Sequence, residues 1–407
     1  MPLRMDREYS AVGWETKNLG DICENLDSKR VPVTQSSRKA GIIPYYGASG
    51  IVDYVADYIF DEDLLLVSED GANLLARTYP IAFSITGKAW VNNHAHVLRF
   101  AESTTQSFVE YYLNSISLEP YVSGMAQPKL NQKSLNSINI PIPPLPEQKR
   151  IVSIVDEAFE GIDRAIANTE KNLTNARELF ESYLNTVFTQ RDSVPTVAIG
   201  DIGEVFDGPH ATPKTIDSGP IFLGISSLQD GSIKLEKTRH VSPEDFQRWT
   251  RRVKPRTDDI VFSYETRLGQ AAIIPEGLEC CLGRRMGLVR VDKTQIEPLY
   301  FLYLYLSMPF QKFLNKKTVR GATVDRISIK EVPSFSIPLP DLEEQKSIVS
   351  KVDALSVEIQ RLEAIYRQKL AALIELKQSV LQKAFTGELT ADTANQVTKT
   401  AKEVIAA

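Results

Sequence analysis

The sequence predicts a mixed α/β protein in which two related globular domains are separated by two long antiparallel helices. Three observations support this: an ungapped internal repeat, a heptad pattern within each copy, and alternating apolar runs upstream of each copy. The repeat aligns residues 141–189 with residues 338–386 at an offset of 197, as in Glu147 against Glu344. Roughly 20 of its ~49 positions are identical. The 407-residue chain is therefore expected to be a tandem duplication with pseudo-twofold symmetry.

Each copy of the repeat is predicted to form one long helix with a narrow apolar stripe. Apolar residues recur at spacings of mostly three and four, which is the signature of a coiled-coil seam. At 1.5 Å per residue, a helix of about 40 residues is roughly 60 Å long. Asp341 and Glu344 form a predicted capping box at the start of the second helix. The predicted seam residues are Ile151, Val155, Ile162, Leu173, Phe180, Ile348, Val352, Leu355, Ile359, Leu362, Leu370 and Leu373.

Neither helix can bury its stripe alone, so the simplest partner for each is the other. Because each helix follows its own globular domain, an antiparallel pair would place the domains at opposite ends and hold them a fixed distance apart. The alternative is that each amphipathic helix packs only on its own domain. The helices align without gaps while the globular parts carry insertions, and this difference favours the spacer.

The globular parts are predicted to be mixed α/β domains of about 140 residues each. Apolar runs such as "DLLLVS", "AHVLRF", "DIVFSY" and "MGLVRV" indicate strands. The segments "SFVEYYLNSI" and "LYFLYLYLSMPFQKFL" indicate helices that precede the repeat. A short polar linker is expected around Gln190. The predicted boundaries are 1–146 for the first domain, 147–189 for the first helix, 190–340 for the second domain, 341–389 for the second helix and 390–407 for a polar tail.

Composition and charge exclude several classes of protein. With 43% hydrophobic and 24% charged residues, the chain has the composition of a soluble globular protein. Neither an export signal nor a membrane span is indicated, so a cytoplasmic location is expected. The net charge of −5 argues against a uniformly basic nucleic-acid binder. The three cysteines lack metal-ligand spacing and are expected to be reduced and inert.

The repeated segments resemble the two conserved regions of the specificity (S) subunit of type I restriction-modification enzymes. The resemblance lies in "NIPIPPLPEQKRIVSIVD", its repeat "SIPLPDLEEQKSIVSKVD" and the segment "LQKAFTGELT". Upstream, "IPYYGASGIVDY" and "AWVNNHAHVLRF" are similar to segments of that family's target-recognition domains. The resemblance covers essentially the whole chain.

The resemblance implies a non-catalytic subunit that recognises double-stranded DNA. Each target-recognition domain is then expected to read one half of a bipartite site, and the helices to set the unread gap. The same helices are expected to dock two modification (methyltransferase) subunits, which restriction (translocase and nuclease) subunits join. S-adenosylmethionine, ATP and magnesium are expected on those partners, and no cofactor on this chain. A coiled-coil scaffold carrying two protein- or glycan-binding domains is the alternative.

The second domain is the better electrostatic candidate for DNA contact. Residues 190–340 contain 21 Lys and Arg against 18 Asp and Glu, whereas residues 1–146 contain 12 against 16. The segment "FQRWTRRVKPR" crowds cationic side chains that can bind phosphates, and an arginine can bind guanine through two hydrogen bonds. A solvated helix end is the alternative reading of this segment.

Candidate DNA-contacting residues lie near glycines and turns. In the second domain, "SYETRLG" and "GRRMG" place arginines beside glycines, which let the backbone approach a ligand closely. In the first, "YYGAS" and "NNHAH" offer hydroxyl, amide and imidazole groups, and Asn is the natural bidentate partner of adenine. A packed hairpin is the alternative for "YYGAS". The candidates are Tyr45, Tyr46, Ser49, Asn92, Asn93, His94, His96, His210, Lys214, Arg248, Arg251, Arg252, Lys254, Arg267, Arg284, Arg285 and Arg320.

The sequence predicts neither catalysis nor metal binding by this chain. His94 and His96 alternate onto one face of a predicted strand, but no third ligand follows at a suitable spacing. The chain has no G-x-x-x-x-G-K-[ST] phosphate loop and no Asn-Pro-Pro-Tyr tetrapeptide. The segment "PDLEEQK" is better explained by helix capping than as a nuclease motif. Catalysis is therefore expected to belong to the partners.

Overall fold

The computed structural model describes residues 14–124, 127–189, 194–229, 231–321 and 324–389. The chain divides into two compact units, one from Met1–Glu170 with Arg367–Ala407 and the other from Lys171–Tyr366. Each unit therefore contains one globular domain and a part of each long helix. Most of the predicted linker (190–193) and the predicted tail (390–407) lie outside the described residues.

Strands dominate the first domain. The domain has two four-stranded sheets, and in one of them the central strand Leu64–Ser68 is buried along its whole length, which explains its uninterrupted apolar sequence. The strands are β1 Glu15–Asn18, β2 Glu24–Asn25, β3 Ala40–Gly47, β4 Gly50–Val55, β5 Phe60–Asp61, β6 Leu64–Ser68, β7 Ala82–Ile85, β8 Lys88–Val91, β9 Ala95–Arg99 and β10 Asn139–Ile142. Their sheet orders are β2-β9-β6-β7, β4-β3-β8-β5 and the antiparallel pair β1-β10.

One longer helix covers the core of the first domain. It buries Phe108, Val109 and Tyr112 against the central sheet, so the apolar side of the predicted helix "SFVEYYLNSI" is confirmed as a core face. The helices are α1 Leu19–Ile22, α2 Asn73–Ala76, α3 Ser103–Ser115, α4 Gln132–Asn136 and the first long helix, α5 Leu145–Thr189.

The second domain repeats this plan with extra elements. Its main sheet has the order β12-β20-β17-β18, beside a three-stranded sheet β16-β13-β19 and the pairs β14-β15 and β11-β21. The four strands predicted from apolar runs are confirmed as β6, β9, β17 and β20. The bounds are β11 Thr196–Ala198, β12 Gly203–Asp207, β13 Ile216–Leu223, β14 Leu228–Gln229, β15 Ser232–Ile233, β16 Arg239–His240, β17 Ile260–Ser263, β18 Ala271–Ile273, β19 Cys280–Leu282, β20 Met286–Val291 and β21 Ser336–Pro338.

The aromatic segment "LYFLYLYLSMPFQKFL" forms two helices. Ser307 has an extended conformation (φ −64°, ψ 147°) and separates them. Pro309 lies in the first turn of the second helix, where its missing N–H has no partner to lose. The remaining helices are α6 Pro243–Trp249, α7 Pro298–Leu306, α8 Met308–Lys317 and the second long helix, α9 Leu342–Phe385. No helix within the described residues combines the length and apolar character that crossing a bilayer requires.

The two long helices pack against each other in antiparallel fashion within each unit. In the first unit, Lys377 Nζ lies 2.5 Å from an Asp163 carboxylate oxygen, and residues 151–165 share one apolar core with residues 373–385. In the second, Arg177 Nε donates to Glu363 at 2.7 Å, and residues 184–188 share a core with residues 348–352. Residue numbers rise along one helix as they fall along the other.

Most of the predicted seam residues are buried or half-buried, but Leu362 is an exception. Its side chain is 36% exposed, so its assignment to the seam is wrong. Ile359 is buried and Glu363, one turn later, bonds to Arg177 of the facing helix. Because successive helical residues are rotated by about 100°, Leu362 lies roughly 60° to one side of Ile359, on the side away from Glu363 and at the edge of the interface.

Each long helix is tied to its domain by a buried glutamine that both copies of the repeat preserve. Gln148 donates to Pro143 O at 2.8 Å and accepts from Thr105 of α3 at 2.8 Å. Gln345, 0% exposed, donates to Pro340 O and accepts from the Glu297 backbone N–H at the start of α7. In each copy, therefore, a backbone carbonyl of the proline-rich turn before the helix accepts a hydrogen bond from the buried glutamine. Asp341 Oδ1 accepts from the Glu344 N–H at 2.8 Å, which is one of the two hydrogen bonds of the predicted capping box.

A second contact between domain and helix recurs about two turns further along each helix. Tyr111 of α3 donates its hydroxyl to Asp156 of α5, and Tyr303 of α7 donates to Asp353 of α9. The two aspartates are separated by the repeat offset of 197 residues. Burial, the hydrogen bond and the nearby carboxylate raise the pKa of both tyrosines, which therefore remain donors. Each domain is thus attached to its own long helix by an equivalent pair of helix residues, one glutamine and one aspartate.

Candidate nucleic-acid interface

Asp207, at the end of β12, gathers side chains from distant segments of the second domain. His210 Nε2 lies 2.9 Å from one carboxylate oxygen, and the Tyr264 hydroxyl donates to the other at 2.9 Å. Arg252 donates to the Asp207 carbonyl at 3.2 Å. Burial, followed by the Asp207 hydrogen bond, raises the pKa of Tyr264, so its hydroxyl stays protonated and donates. The structure therefore brings the predicted residues His210 and Arg252 together.

Beside Asp207 lie two loops that contain the predicted arginines; we call residues 264–268 and 283–285 the arginine loop pair. The Tyr264 N–H donates to Arg285 O at 3.4 Å, and Arg285 Nε lies 2.8 Å from a Glu265 oxygen. Arg267 and Arg284 are exposed, whereas Arg285 is only half-exposed. The loops are therefore adjacent, and their three arginines have different environments.

The backbone of the arginine loop pair is strained. Thr266 has φ 69° and Arg285 has φ 67°, the left-handed region that residues with a Cβ rarely adopt. For the β-branched Thr266 this is a genuine outlier, and such a conformation costs about 1–3 kcal/mol. Strain of this kind persists where surrounding contacts enforce it, and it concentrates at binding sites.

The cationic segment that begins in the last turn of α6 spreads its side chains over the surface. Arg248 lies over the ring of Trp249 at 5.3 Å, and Lys254 pairs with Glu279 at 2.5 Å. Arg251 is exposed, and only Arg252 contacts Asp207 among the hydrogen bonds of the described segment. These residues extend the basic surface but do not converge on one point.

Two further predicted residues, Lys214 and Arg320, lie on exposed loops of the second domain. Arg320 follows Val319, whose backbone pairs with Arg326 in an isolated bridge, and Arg326 in turn bridges Glu265. Arg320 is therefore carried by a segment that packs beside the arginine loop pair. Lys214 has no such link among the described residues.

In the first domain, three loops meet at the ends of β3, β6 and β8. Ser68 Oγ donates to Ala48 O at 2.5 Å, and the Glu69 N–H donates to His94 O at 2.9 Å. Exposed His94 lies 2.9 Å from Asp70 through its Nδ1. The exposed members of the predicted set here are Ser49, Asn93 and His94.

Four predicted residues of the first domain have side chains that are largely or partly covered. Tyr45 is 1% exposed beneath the Arg38 guanidinium, at 4.2 Å, and Tyr46 packs near Phe83. Asn92 is 7% exposed and accepts from the His94 N–H at 2.8 Å, so it shapes the turn. Because Tyr45 and Asn92 are buried, they stabilise the loops from below and are not themselves available to contact DNA. The fourth residue, His96, is buried in a polar network.

The network around His96 contains three groups that a metal ion can use, namely Asp27, Glu69 and His96 itself. His96 Nδ1 lies 2.6 Å from Asp27, and Nε2 donates to Leu130 O at 2.7 Å. Arg30 pairs with Glu69 at 2.6 Å. Since both imidazole nitrogens and both carboxylates already have partners, the group fits an ion-pair network better than a metal site.

Two basic residues beside the loops that follow β6 and β17, which we call the loop surfaces of the two domains, were not predicted from the sequence. Lys129 and Arg326 are exposed and occupy equivalent positions of the repeat. Their backbones form isolated bridges to Asp70 and Glu265, at the loops that follow β6 and β17. The repeat offset that pairs Gly124 with Gly321 also pairs Lys129 with Arg326, and this alignment could have identified both residues from the sequence.

Comparison with known proteins gives the family. The family model for the type I restriction modification DNA specificity domain matches twice, at residues 11–175 and 192–370. The chain belongs to this type I specificity family. The predicted resemblance is thereby confirmed, and so is the fold class of two α/β target-recognition domains with two long helices.

Similar members of the specificity family include a putative type I restriction enzyme specificity subunit of Haemophilus influenzae. It is 29% identical over 353 residues, which are 85% of this chain and 88% of that protein. The EcoBI specificity subunit of Escherichia coli is 25% identical over 69% of this chain and 64% of its own. Both are described as specificity subunits of type I restriction enzymes.

Two solved structures share the fold of the specificity family. One, from work on complex assembly and conformational transition of the type I R-M system, has a TM-score of 0.69 and 20% identity. It covers 92% of this chain and 98% of that one. The HsdS subunit of Thermoanaerobacter tengcongensis has a TM-score of 0.56 and 21% identity, covering 93% and 98%.

Proposed function

We propose that this chain is the DNA-reading subunit of a type I restriction-modification complex, and that each domain reads one half of a bipartite site. The observation that carries the proposal is the coincidence of two family-model matches with two domains that each gather polar loops at the ends of their strands. Such loops present side chains to base edges without disturbing the sheet that carries them.

Charge supports a division between phosphate binding and base reading. Lys129 and Arg326 are exposed at repeat-equivalent positions beside the two loop surfaces, and they are proposed phosphate contacts. Arg251, Arg252 and His210 add cationic or titratable groups on the second domain. Phosphate contacts fix the orientation of a protein on the duplex, while neighbouring loops supply the sequence preference.

The long helices are proposed to set the unread gap and to dock two modification subunits, which restriction subunits join. Their 45 and 44 residues and the repeated glutamine anchors support a spacer of defined length. Exposed apolar side chains on the helices, Leu179, Val357, Ile365 and Ile374, support a docking role because solvent is their less favourable environment.

The subunit is proposed to be non-catalytic. S-adenosylmethionine, ATP and magnesium are assigned to the partners, because the motifs that bind phosphates or hold a flipped base are absent from the sequence. The ion pairs of the buried Asp27, Glu69 and His96 network support the assignment of magnesium alone, since these groups already have partners.

The experiment that tests the proposal measures binding of the full chain, with its modification partners, to duplexes recovered from a randomised pool. A bipartite preference is expected, with log affinity falling linearly with log salt concentration as counterions are released. A binding preference for one continuous motif, or affinity that is insensitive to salt, would contradict it.

A further inference from the structure

We infer that the arginine loop pair reads guanine bases in one half-site, with Arg267 and Arg284 as the base-contacting residues and the Glu265–Arg285 ion pair as the element that positions them. The inference rests on the proposed function, and it adds a base identity and separate roles for the three arginines. It follows from the anchoring, charge and exposure of the two loops.

The first step is that the loop after β17 is held rigidly. Ser263, which is buried, donates its hydroxyl to Glu265 O at 2.7 Å. Gln311 of α8 donates to Gly269 O at 3.1 Å, and a Cβ on Gly269 would overlap that side chain. A loop fixed at both ends presents its tip in one conformation, so little entropy is lost on binding.

The second step is that the loop before β20 is equally confined. A Cβ on Gly283 would lie 2.1 Å from Leu223 O, so only glycine permits this approach of two backbone segments. Arg284 follows directly and is exposed, while Arg285 adopts a left-handed conformation. The close approach and the strained residue together fix the place from which the Arg284 side chain leaves the surface.

The third step separates the roles of the arginines. Arg285 Nε is bound to Glu265, whose side chain is only 15% exposed, at 2.8 Å. This ion pair joins the two loops, so Arg285 is a positioning residue. Among the described residues, the hydrogen bonds of the Arg267 side chain are long, at 3.4 Å to Ser226 O and 3.5 Å to Ile225 O, and Arg267 is exposed.

The fourth step is the chemistry of the ligand. A guanidinium presents two parallel N–H groups that match the O6 and N7 acceptors of guanine in the major groove. The corresponding loops of the first domain present Asp70, Asn93 and His94 instead. A carboxylate and an amide favour other base edges, so guanine reading is inferred for the second domain alone.

The test compares conservative variants in the full chain with its modification partners, using duplexes selected from a randomised pool. Arg267→Lys and Arg284→Lys keep the positive charge but lose the bidentate geometry. Each is expected to lower the preference for guanine at one position of one half-site by about 10-fold or more, with the salt dependence unchanged. Glu265→Gln is expected to weaken the preference at both positions.

Arg239→Lys is the matched control, because Arg239 is an exposed arginine on β16 of the same domain, outside the arginine loop pair. It is expected to leave the selected motif unchanged. If the wild type selects a bipartite motif and the Arg267 and Arg284 variants select it equally well, the inference is overturned and the proposed function stands. If the wild type selects no bipartite motif, the proposed function fails and the inference fails with it.

Discussion

Asp207 accepts a hydrogen bond from a side chain that is distant in the sequence. Its carboxylate accepts from Tyr264, 57 residues away, and lies 2.9 Å from His210. Nothing in the spacing of Asp207 and Tyr264 predicts their meeting, because it depends on how β12, β17 and β20 are ordered in one sheet. At the residue scale, the loop surface of the second domain is therefore organised by an acid that sequence reasoning did not single out.

The buried glutamines give a sharp test at the same scale. Gln345→Ala removes the partners of the Pro340 and Gln295 carbonyls and of the Glu297 N–H. Leaving such buried groups unpaired is expected to lower the free energy of unfolding by about 2–4 kcal/mol, as measured by urea denaturation. Lys346→Ala changes the exposed neighbour and is expected to stay within about 0.5 kcal/mol. Equal effects would show that the glutamine is not an anchor.

The acidic members of the His96 network predict a loss of stability at low pH. Burial alone raises the pKa of Asp27 and of Glu69, but hydrogen bonds and charges from His96 and Arg30 outweigh it and lower both pKa values. Carboxylates with a lowered pKa stabilise the fold above their ordinary values of 3.8 and 4.5. That stability is lost as the pH falls below about 4.5 through the folded-state pKa values.

Hydrogen exchange of the β6 and β9 amides measures this loss in the first domain. The wild type is expected to lose protection progressively below about pH 4.5, whereas Asp27→Asn is expected to be less stable at neutral pH and less sensitive to acid. The neutral-pH cost is about 3 kcal/mol, because the change removes the nearer of the two carboxylates that face His96 and leaves only Glu69, at 3.9 Å. Parallel pH profiles for the two proteins would contradict this origin of acid sensitivity.

At the scale of elements, the long helices were predicted well and the loop surfaces poorly. In α5 and α9, apolar residues recur at spacings of three and four over about 40 residues, and strands such as β6 have uninterrupted apolar runs. The left-handed conformation of Thr266 has no such signature, because neither the residue type nor an apolar period indicates a positive φ at a β-branched residue. The prediction that Leu362 belongs to the seam was wrong because the neighbouring Glu363 contacts the facing helix instead, through its ion pair with Arg177.

A seven-residue insertion in both long helices tests their proposed role as a spacer. Placed after Glu170 and after Arg367, which are equivalent in the repeat, one extra heptad keeps the apolar stripe in phase. It lengthens each helix by about 10 Å, or roughly three base pairs of DNA. Selection from randomised duplexes is expected to give the same half-sites with a longer gap. Altered half-sites would show that the helices also take part in reading.

At the scale of the whole molecule, duplication explains why two domains with different loop chemistry share one framework. Gln148 and Gln345, like Asp156 and Asp353, keep the same contacts in both copies. The loops instead differ, with an Asp70–His94 pair in one domain and an arginine-rich pair of loops in the other. A constant framework with variable loops supports the proposal that the two domains read unlike half-sites.

The most direct test of this account is to co-express the chain with its modification subunits and map methylated adenines across the host genome. The account predicts one split motif with a fixed unread gap and a modified adenine in each half. It also predicts that guanine positions sensitive to Arg267 and Arg284 fall in a single half. A continuous motif, or methylation that does not depend on both domains, would contradict the central claim.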